Sequence, residues 1–311
     1  MLLSIVIPTR NRAELLSDLI ESLAQQEAVT FEWEIVIVDN ASSDHTAETI
    51  KKLQSSMDIT IRYFHETRIG LVYGRHRGAE EAQGKIIGYL DDDMFLSSTW
   101  VQGAEKIING QADAVVGRIL PHWVTPPPDW LQKSAKGGTY SYLGLLDLGP
   151  VEKTVEPAFV FGGNCFLPKE LIFSLGGFHP DGVPRDQLKF RGDGETGLMA
   201  KFKKAGLRSI YDPRATAYHI INANRLTVDY FCRRAFNQGI SDSYTRIRAD
   251  RTQFYWKTIL RRIKYVRQKI YRDRIQTKIH RAYWAGYKFH QREVKADPEL
   301  YRWVKKDTYI H

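Results

Sequence analysis

Up to Val116 the chain alternates short β-branched apolar runs with amphipathic stretches, and this alternation constrains its fold more than any other feature. Leu2–Ile7, Glu34–Val38, Ile59–Phe64, Lys85–Leu90 and Ala112–Val116 read as strands, because Val, Ile and aromatic residues suit a pleated, covered surface. Between the first two, the stretch from Asn11 to Gln26 carries Leu15, Leu16, Leu19, Ile20 and Leu23 at helical spacing. Further helices are predicted from Ser43-Asp44, where either side chain can cap, and over Leu71–Gln83 and Ser98–Asn109. Strands alternating with helices imply an α/β fold with a mostly parallel sheet flanked by helices. Ligands of such sheets bind beyond the carboxyl ends of the strands. Three polar clusters fall at those ends: Pro8-Thr9-Arg10, Asp39-Asn40 and Asp91-Asp92-Asp93.

The aspartate triplet follows Ile86-Ile87-Gly88-Tyr89-Leu90 and precedes Met94-Phe95-Leu96, so apolar residues pin it on both sides. Three like charges there repel one another unless a cation or a sugar hydroxyl shares them. Carboxylates at a strand end can hold Mg²⁺ or Mn²⁺ and leave most of its coordination shell to substrate phosphates. A solvated acidic turn is the plain alternative. Neither a GxGxxG after the first strand nor a P-loop is present, so a nucleotide would be held by carboxylates on base and ribose and by a cation on the diphosphate. Asp39 is placed to accept from a base N–H or a ribose hydroxyl, although an Asp-Asn turn also simply ends a strand.

The second half changes character. From Pro126-Pro127-Pro128 to about Pro157 the chain reads as irregular, residues 159–168 as strand-like, Lys169–Leu175 and Glu195–Ala205 as helices, and everything after Leu226 as helical without a second sheet. At 311 residues, 43% hydrophobic and 26% charged, the chain is an ordinary globular protein with room for a full core. No run nears the roughly 18 to 20 apolar residues of a membrane span, and the N-terminus lacks a basic leader. Cys165 and Cys232 form no CxxC, so a cytoplasmic setting is expected. The net charge is +9, whereas Thr245–His290 alone sums to +12, leaving −3 for the rest. The basic character is therefore assigned to the tail and not to the site.

Taken together, these pieces resemble the inverting family-2 glycosyltransferases of the GT-A fold over about residues 3–245. Ser4 to Arg12 is similar to their opening strand, Glu34 to Asp44 to their second, Leu90-Asp91-Asp92-Asp93 to their DXD-type element, and Gly70 to Gly78 to the segment carrying a base-contacting arginine, here Arg75. The resemblance implies a nucleotide-diphosphate sugar donor, most commonly a UDP-sugar, and a Mn²⁺ or Mg²⁺ cofactor. It implies donor binding by Pro8, Thr9, Arg10, Arg12, Asp39, Asn40, Arg75, Asp91 and Asp92, with Asp93 as metal ligand and Asp92 the least defined of the triplet. Gly162-Gly163-Asn164 and Gly177-Phe178 are similar to acceptor-side loops. Gly192-Asp193-Gly194-Glu195 resembles the stretch that carries the base, which makes Glu195 the first candidate and Asp193 the second; a helix start is expected to keep Glu195 ionised. Gly194 stands where the family has an acid, which leaves a catalytically idle binding or scaffold module as the alternative. His219, at the end of Tyr211–His219, becomes a second metal ligand or a diphosphate contact.

The expected organisation is a catalytic unit over 1–245, with a nucleotide-binding half at 1–117 and an acceptor-side half at 118–245, then a helical extension at 246–311. In that extension Trp256, Ile259, Leu260, Ile263, Val266 and Ile270 recur at helical spacing among Lys and Arg. This pattern suits an anionic membrane face, or a hairpin packed on the catalytic unit or a second subunit. No recognition motif accompanies the charge, which argues against nucleic acid. The acceptor is expected to be a glycan, glycolipid or glycoprotein. The aromatic set Trp284, Tyr287, Phe289, Tyr301 and Trp303 should pack or bind.

Overall fold

The computed structural model describes residues 1–134, 142–249 and 274–310. At its centre stands β1 (Leu3–Thr9), every residue of which is buried. It pairs in parallel with β2 (Trp33–Asp39) and β4 (Ile86–Leu90), and β3 (Ile61–His65) extends the sheet beyond β2. Strands covered on both faces need no polar alternation, which is why they read as unbroken apolar runs. The crossovers are α1 (Ala13–Ala24), α2 (Thr46–Ser56) and α3 (Leu71–Glu81). Helix α1 buries Leu16, Leu19, Ile20 and Leu23 as one apolar stripe. Leu15 lies off that stripe and lines a cleft instead. Ahead of α2 the Asp44 carboxylate accepts from the Thr46 N–H at 3.1 Å, satisfying an amide the helix cannot.

Past β4 the sheet becomes mixed. The chain continues through β5 (Met94–Leu96), α4 (Glu105–Ile108), β6 (Ala114–Trp123), α5 (Asp129–Ser134), β7 (Lys153–Val155), β8 (Asn164–Pro168), α6 (Lys169–Ser174), α7 (Glu195–Lys204) and β9 (Ser209–Ile221). Strand order is β3-β2-β1-β4-β8-β6-β9-β5, with β7 also on β9. Half of the eight pairings are parallel; β8 runs against both β4 and β6, and β5 and β7 run against β9. Strand β6 outruns its expected end at Val116 because β9 stays beside it as far as Trp123↔Ile221. The β6–β9 register slips between Gly117 and Ile119. Asn164 staples that slip by donating to the carbonyls of Arg118 (3.1 Å) and Ala215 (3.0 Å) while accepting from Trp100 Nε1 at 2.7 Å.

After β9 the chain is helical among the described residues, with α8 (Val228–Arg248), α9 (Arg274–Ala296) and α10 (Pro298–Lys305). None of the described helices is long and apolar enough to cross a membrane. The stretch from Trp256 to Ile270, on which the membrane expectation rests, lies outside the described residues. The expected boundary at 245/246 falls inside α8, and the chain beyond it returns to the sheet unit. Trp303 Nε1 donates to the Phe190 carbonyl at 3.3 Å, Tyr309 N–H to the Gly176 carbonyl at 3.0 Å, and Ile310 joins the main core. Of the expected aromatic set, Tyr301 alone is exposed.

Helices α8 and α9 cross at two glycines. A Cβ on Gly239 would run into the Tyr283 carbonyl, and one on Gly286 into the Phe236 carbonyl. A mid-helix Gly→Ala change ordinarily gains about 1 kcal/mol. Here Gly286→Ala is expected to lose roughly 1–3 kcal/mol through overpacking, seen as a lower thermal midpoint; a raised midpoint would contradict the close crossing.

Candidate functional site

Strand register decides which side chains meet. Strands β1 and β4 are neighbours, so Asp91–Asp93 leave the sheet beside Pro8–Arg12. Thr9 Oγ1 donates to Asp92 Oδ2 at 2.7 Å, and Arg12 Nη1 donates to Asp92 Oδ1 at 2.5 Å and to Asp93 Oδ2 at 3.0 Å. Burial raises the Asp92 pKa; Arg12 pulls it back, and the charge of Asp93 adds to the rise. The pairing of Met94 with His219 places that histidine beside Asp93, whose carbonyl accepts from Ile220 N–H at 2.9 Å.

Asp93 has two unlike sides. Its Oδ2 receives Arg12 and Arg225, while Oδ1 lies 3.4 Å from His219 Nε2. Arg225 Nη1 also donates to His219 Nε2 at 2.5 Å. That hydrogen bond occupies the Nε2 lone pair and puts the ring proton on Nδ1, which has no hydrogen-bond partner among the described residues. Burial works to raise the Asp93 pKa, and His219, Arg225 and Arg12 more than reverse it, so Asp93 is held well below the usual carboxylate range. Among the described residues no three His, Cys, Asp or Glu side chains converge as a metal cage. Asp93 Oδ1, the oxygen the arginines leave open, nevertheless fits an ion of the Mg²⁺ type, which takes one or two protein carboxylates and fills its shell with water and substrate phosphate, and His219 Nε2 could join it once Arg225 moves off that nitrogen.

Behind Asp91 lies a second charged group. Arg75, only 4% exposed, donates from Nη2 to Asp91 Oδ1 at 3.2 Å, and its Nη1 stands 3.6 Å from Glu195 Oε2. Its guanidinium rests 5.4 Å above the Phe178 ring. A Cβ on Gly162 would sit 2.5 Å from Arg75 Nη1, and one on Gly163 2.5 Å from Asp91 Oδ2, so both glycines make room for this pair. Glu195 opens α7 directly after Gly194, whose φ is +57°. Burial raises the Glu195 pKa and Arg75 pulls it back. The net direction is up, opposite to the expectation from the helix start, because loss of solvent outweighs a terminal dipole.

Other expected residues make hydrogen bonds within the fold, and Asn40 also lines the cleft over Asp91–Asp93. Asp39 accepts from Ser42 N–H at 2.9 Å and Tyr63 O–H at 3.0 Å, which is a strand-ending turn; burial and this hydrogen bond push Tyr63 up to about 12. Asn40 clamps the following loop, donating to Arg68 O at 2.7 Å and accepting from Gly70 N–H at 2.8 Å. Asn164 is the buried staple described above. Phe178 is the platform under Arg75, and its N–H donates to His76 Nε2 at 3.0 Å. Gly177, at φ +73°, keeps clear of His76. Asp193 is bound by His179 Nδ1 and Thr245 Oγ1, each at 2.6 Å. Arg75 faces the carboxylates of Asp91 and Glu195.

A cleft of about 760 Å³ opens over Asp91–Asp93 and is also lined by Pro8, Thr9 and His219. Five arginines, Arg10, Arg12, Arg225, Arg233 and Arg234, line it as well. This corrects the assignment of basic character to the tail alone. A net sum over the chain hides them, because acids elsewhere balance them. Arg225 carried no signal in the sequence beyond following a strand exit.

The family model described as "Glycosyl transferase family 2" matches residues 4–173, more than half of the chain. The chain belongs to glycosyl transferase family 2. It is a glycosyltransferase with the GT-A fold followed by a C-terminal helical region. A glucosyl-dolichyl phosphate glucuronosyltransferase of Haloferax volcanii is 23% identical over 245 residues, covering 78% of this chain and 76% of that protein. The poly(ribitol-phosphate) β-N-acetylglucosaminyltransferase TarS of Staphylococcus aureus is 25% identical over 109 residues, only 19% of its own length. Among solved structures, the mannosyltransferase PcManGT of Pyrobaculum calidifontis, in complex with GDP-Man and Mn²⁺, superposes with a TM-score of 0.57 at 19% identity. That match covers 96% of this family-2 chain and 75% of the other, and at this identity it speaks for the fold.

Proposed function

We propose that this chain is a divalent-metal-dependent, inverting glycosyltransferase that moves a sugar from a UDP-sugar to a hydroxyl of a glycan, lipid-linked or protein-linked acceptor. The observation that carries the reading is the pairing of Asp93 Oδ1 with His219 Nε2 at the floor of an arginine-lined cleft. Asp93 would hold the ion, Mn²⁺ or Mg²⁺, with His219 as second ligand once Arg225 moves off Nε2, and the chemistry it would supply when bound is to stabilise charge on the departing diphosphate, worth several kcal/mol. Pro8–Arg12 and Asp91 border the donor, with residues 1–117 as the nucleotide side and 118–245 as the acceptor side. Arg12 and Arg225 fix the aspartates and add positive charge beside the diphosphate. Glu195 takes the proton of the acceptor hydroxyl as its oxygen attacks C1 and the C1–O bond to the diphosphate breaks. One direct displacement inverts the anomeric centre. Asp193 is left to shape the loop before α7, since both its oxygens are engaged.

The reading is tested by release of nucleoside diphosphate from a panel of sugar nucleotides. UDP release is expected with Mn²⁺ or Mg²⁺ present and its loss on adding EDTA. Release unaffected by EDTA would remove the metal from the reading, and no release from any donor would favour the idle binding module.

A further inference from the structure

The cleft carries more positive charge than a nucleotide donor requires. Its five arginines outnumber Asp91, Asp92 and Asp93 by two. Arg12 and Arg225 are committed to Asp92, Asp93 and His219. Arg233 and Arg234, in the first turns of α8, are exposed and have no carboxylate partner among the described residues. Both are held in place without being neutralised. The Arg233 guanidinium lies 6.0 Å from the Tyr230 ring centre, and Arg234 Nε donates to the Tyr142 carbonyl at 3.1 Å, which leaves the Arg234 terminal nitrogens to the cleft.

A nucleotide-diphosphate sugar brings about two negative charges, and a divalent ion bound with it cancels them. Ion and donor together leave the α8 pair uncompensated. Both guanidinium groups line one cleft, and each offers a fork of parallel N–H donors matched to an oxyanion. We propose that Arg233 and Arg234 bind an anionic group on the acceptor, a phosphate ester or a carboxylate close to the hydroxyl that receives the sugar. Tyr142, Leu143 and Tyr230 line the same wall and offer the rest of that acceptor an aromatic and apolar face. The inference rests on the glycosyltransferase reading, with the donor at Asp91–Asp93, and assigns the class of its second substrate.

The test is calorimetric titration of the full chain at low ionic strength, first with UDP and Mn²⁺, then of the UDP-loaded protein with phenyl phosphate, glucuronate or neutral glucose. Phenyl phosphate or glucuronate is expected to saturate while glucose does not, and whichever anion binds more tightly names the group. In Arg233→Gln/Arg234→Gln, affinity for that anion should fall about tenfold or more, as expected for losing charge-assisted hydrogen bonds. UDP affinity should stay within about twofold, less than the worth of one charge-assisted hydrogen bond. An equal loss of UDP affinity would assign the two arginines to the donor and overturn the proposal. Failure of either anion to saturate the UDP-loaded protein would overturn it too, with the donor reading intact. Failure of UDP itself to bind would instead remove the donor reading and this inference with it.

Discussion

Asp93→Asn is expected to lower turnover by about 10²–10³-fold, the usual loss when one preorganised electrostatic partner of a developing charge is removed. Asparagine keeps the shape of the side chain and one carbonyl oxygen for the arginines. What it removes is the negative charge on the face that looks at His219, 3.4 Å away. That face is where the proposed ion would bind, so the variant should also need more Mn²⁺ to reach half of its own maximal rate. The fold should survive. Asp92 sits beside Asp93, and the charge of Asp93 helps to raise its pKa, so losing that charge relieves a repulsion while Arg12 keeps a partner in Asp92. Circular dichroism would verify folding, and nucleoside diphosphate release at saturating donor across a Mn²⁺ series would read the activity. Turnover within tenfold of wild type, with an unchanged Mn²⁺ requirement, would withdraw Asp93 from the metal role.

The sequence made the nucleotide side legible because β1, β2 and β4 are short, covered on both faces and flanked by amphipathic helices. The apolar content of β1, β2 and β4 is a direct consequence of their position in the sheet, and the clusters after Pro8, Asp39 and Leu90 follow from the parallel arrangement. Side-chain employment was less legible. Asp39 and Asn40 stand at a strand end where a ligand contact and a loop clamp look alike in sequence, and both side chains clamp loops. Asn164 looked like part of an acceptor loop, yet it closes a register slip between β6 and β9 that no local pattern announces. Arg225 meets Asp93 across 132 positions because β5 pairs with β9. A three-residue strand such as β5 carries too little periodicity to predict that pairing. The return of the C-terminal segment to Gly176 and the main core was equally hidden, since aromatic content says that a segment packs but not against what.

Glu195→Gln should reduce turnover by roughly 10²–10⁴-fold, the range that a positioned general base supplies. The pH profile makes this test specific. A base acts only when ionised, and burial moves the Glu195 pKa upward from the ordinary carboxylate value. Activity should therefore be lost as pH falls through that raised pKa, with the acid limb of kcat/KM lying above the range of an exposed glutamate. Arg75, 3.6 Å away, favours the ionised form and limits the rise. Arg75→Gln removes that support, so its acid limb should shift to higher pH, whereas Glu195→Gln should lose the limb and retain a slow, flat rate. A structural role for Glu195 would lower the rate and leave the limb where it was. If the limb persisted unchanged in Glu195→Gln, another group would be the base. Asp193 would then be a poor replacement, because His179 and Thr245 occupy both its oxygens.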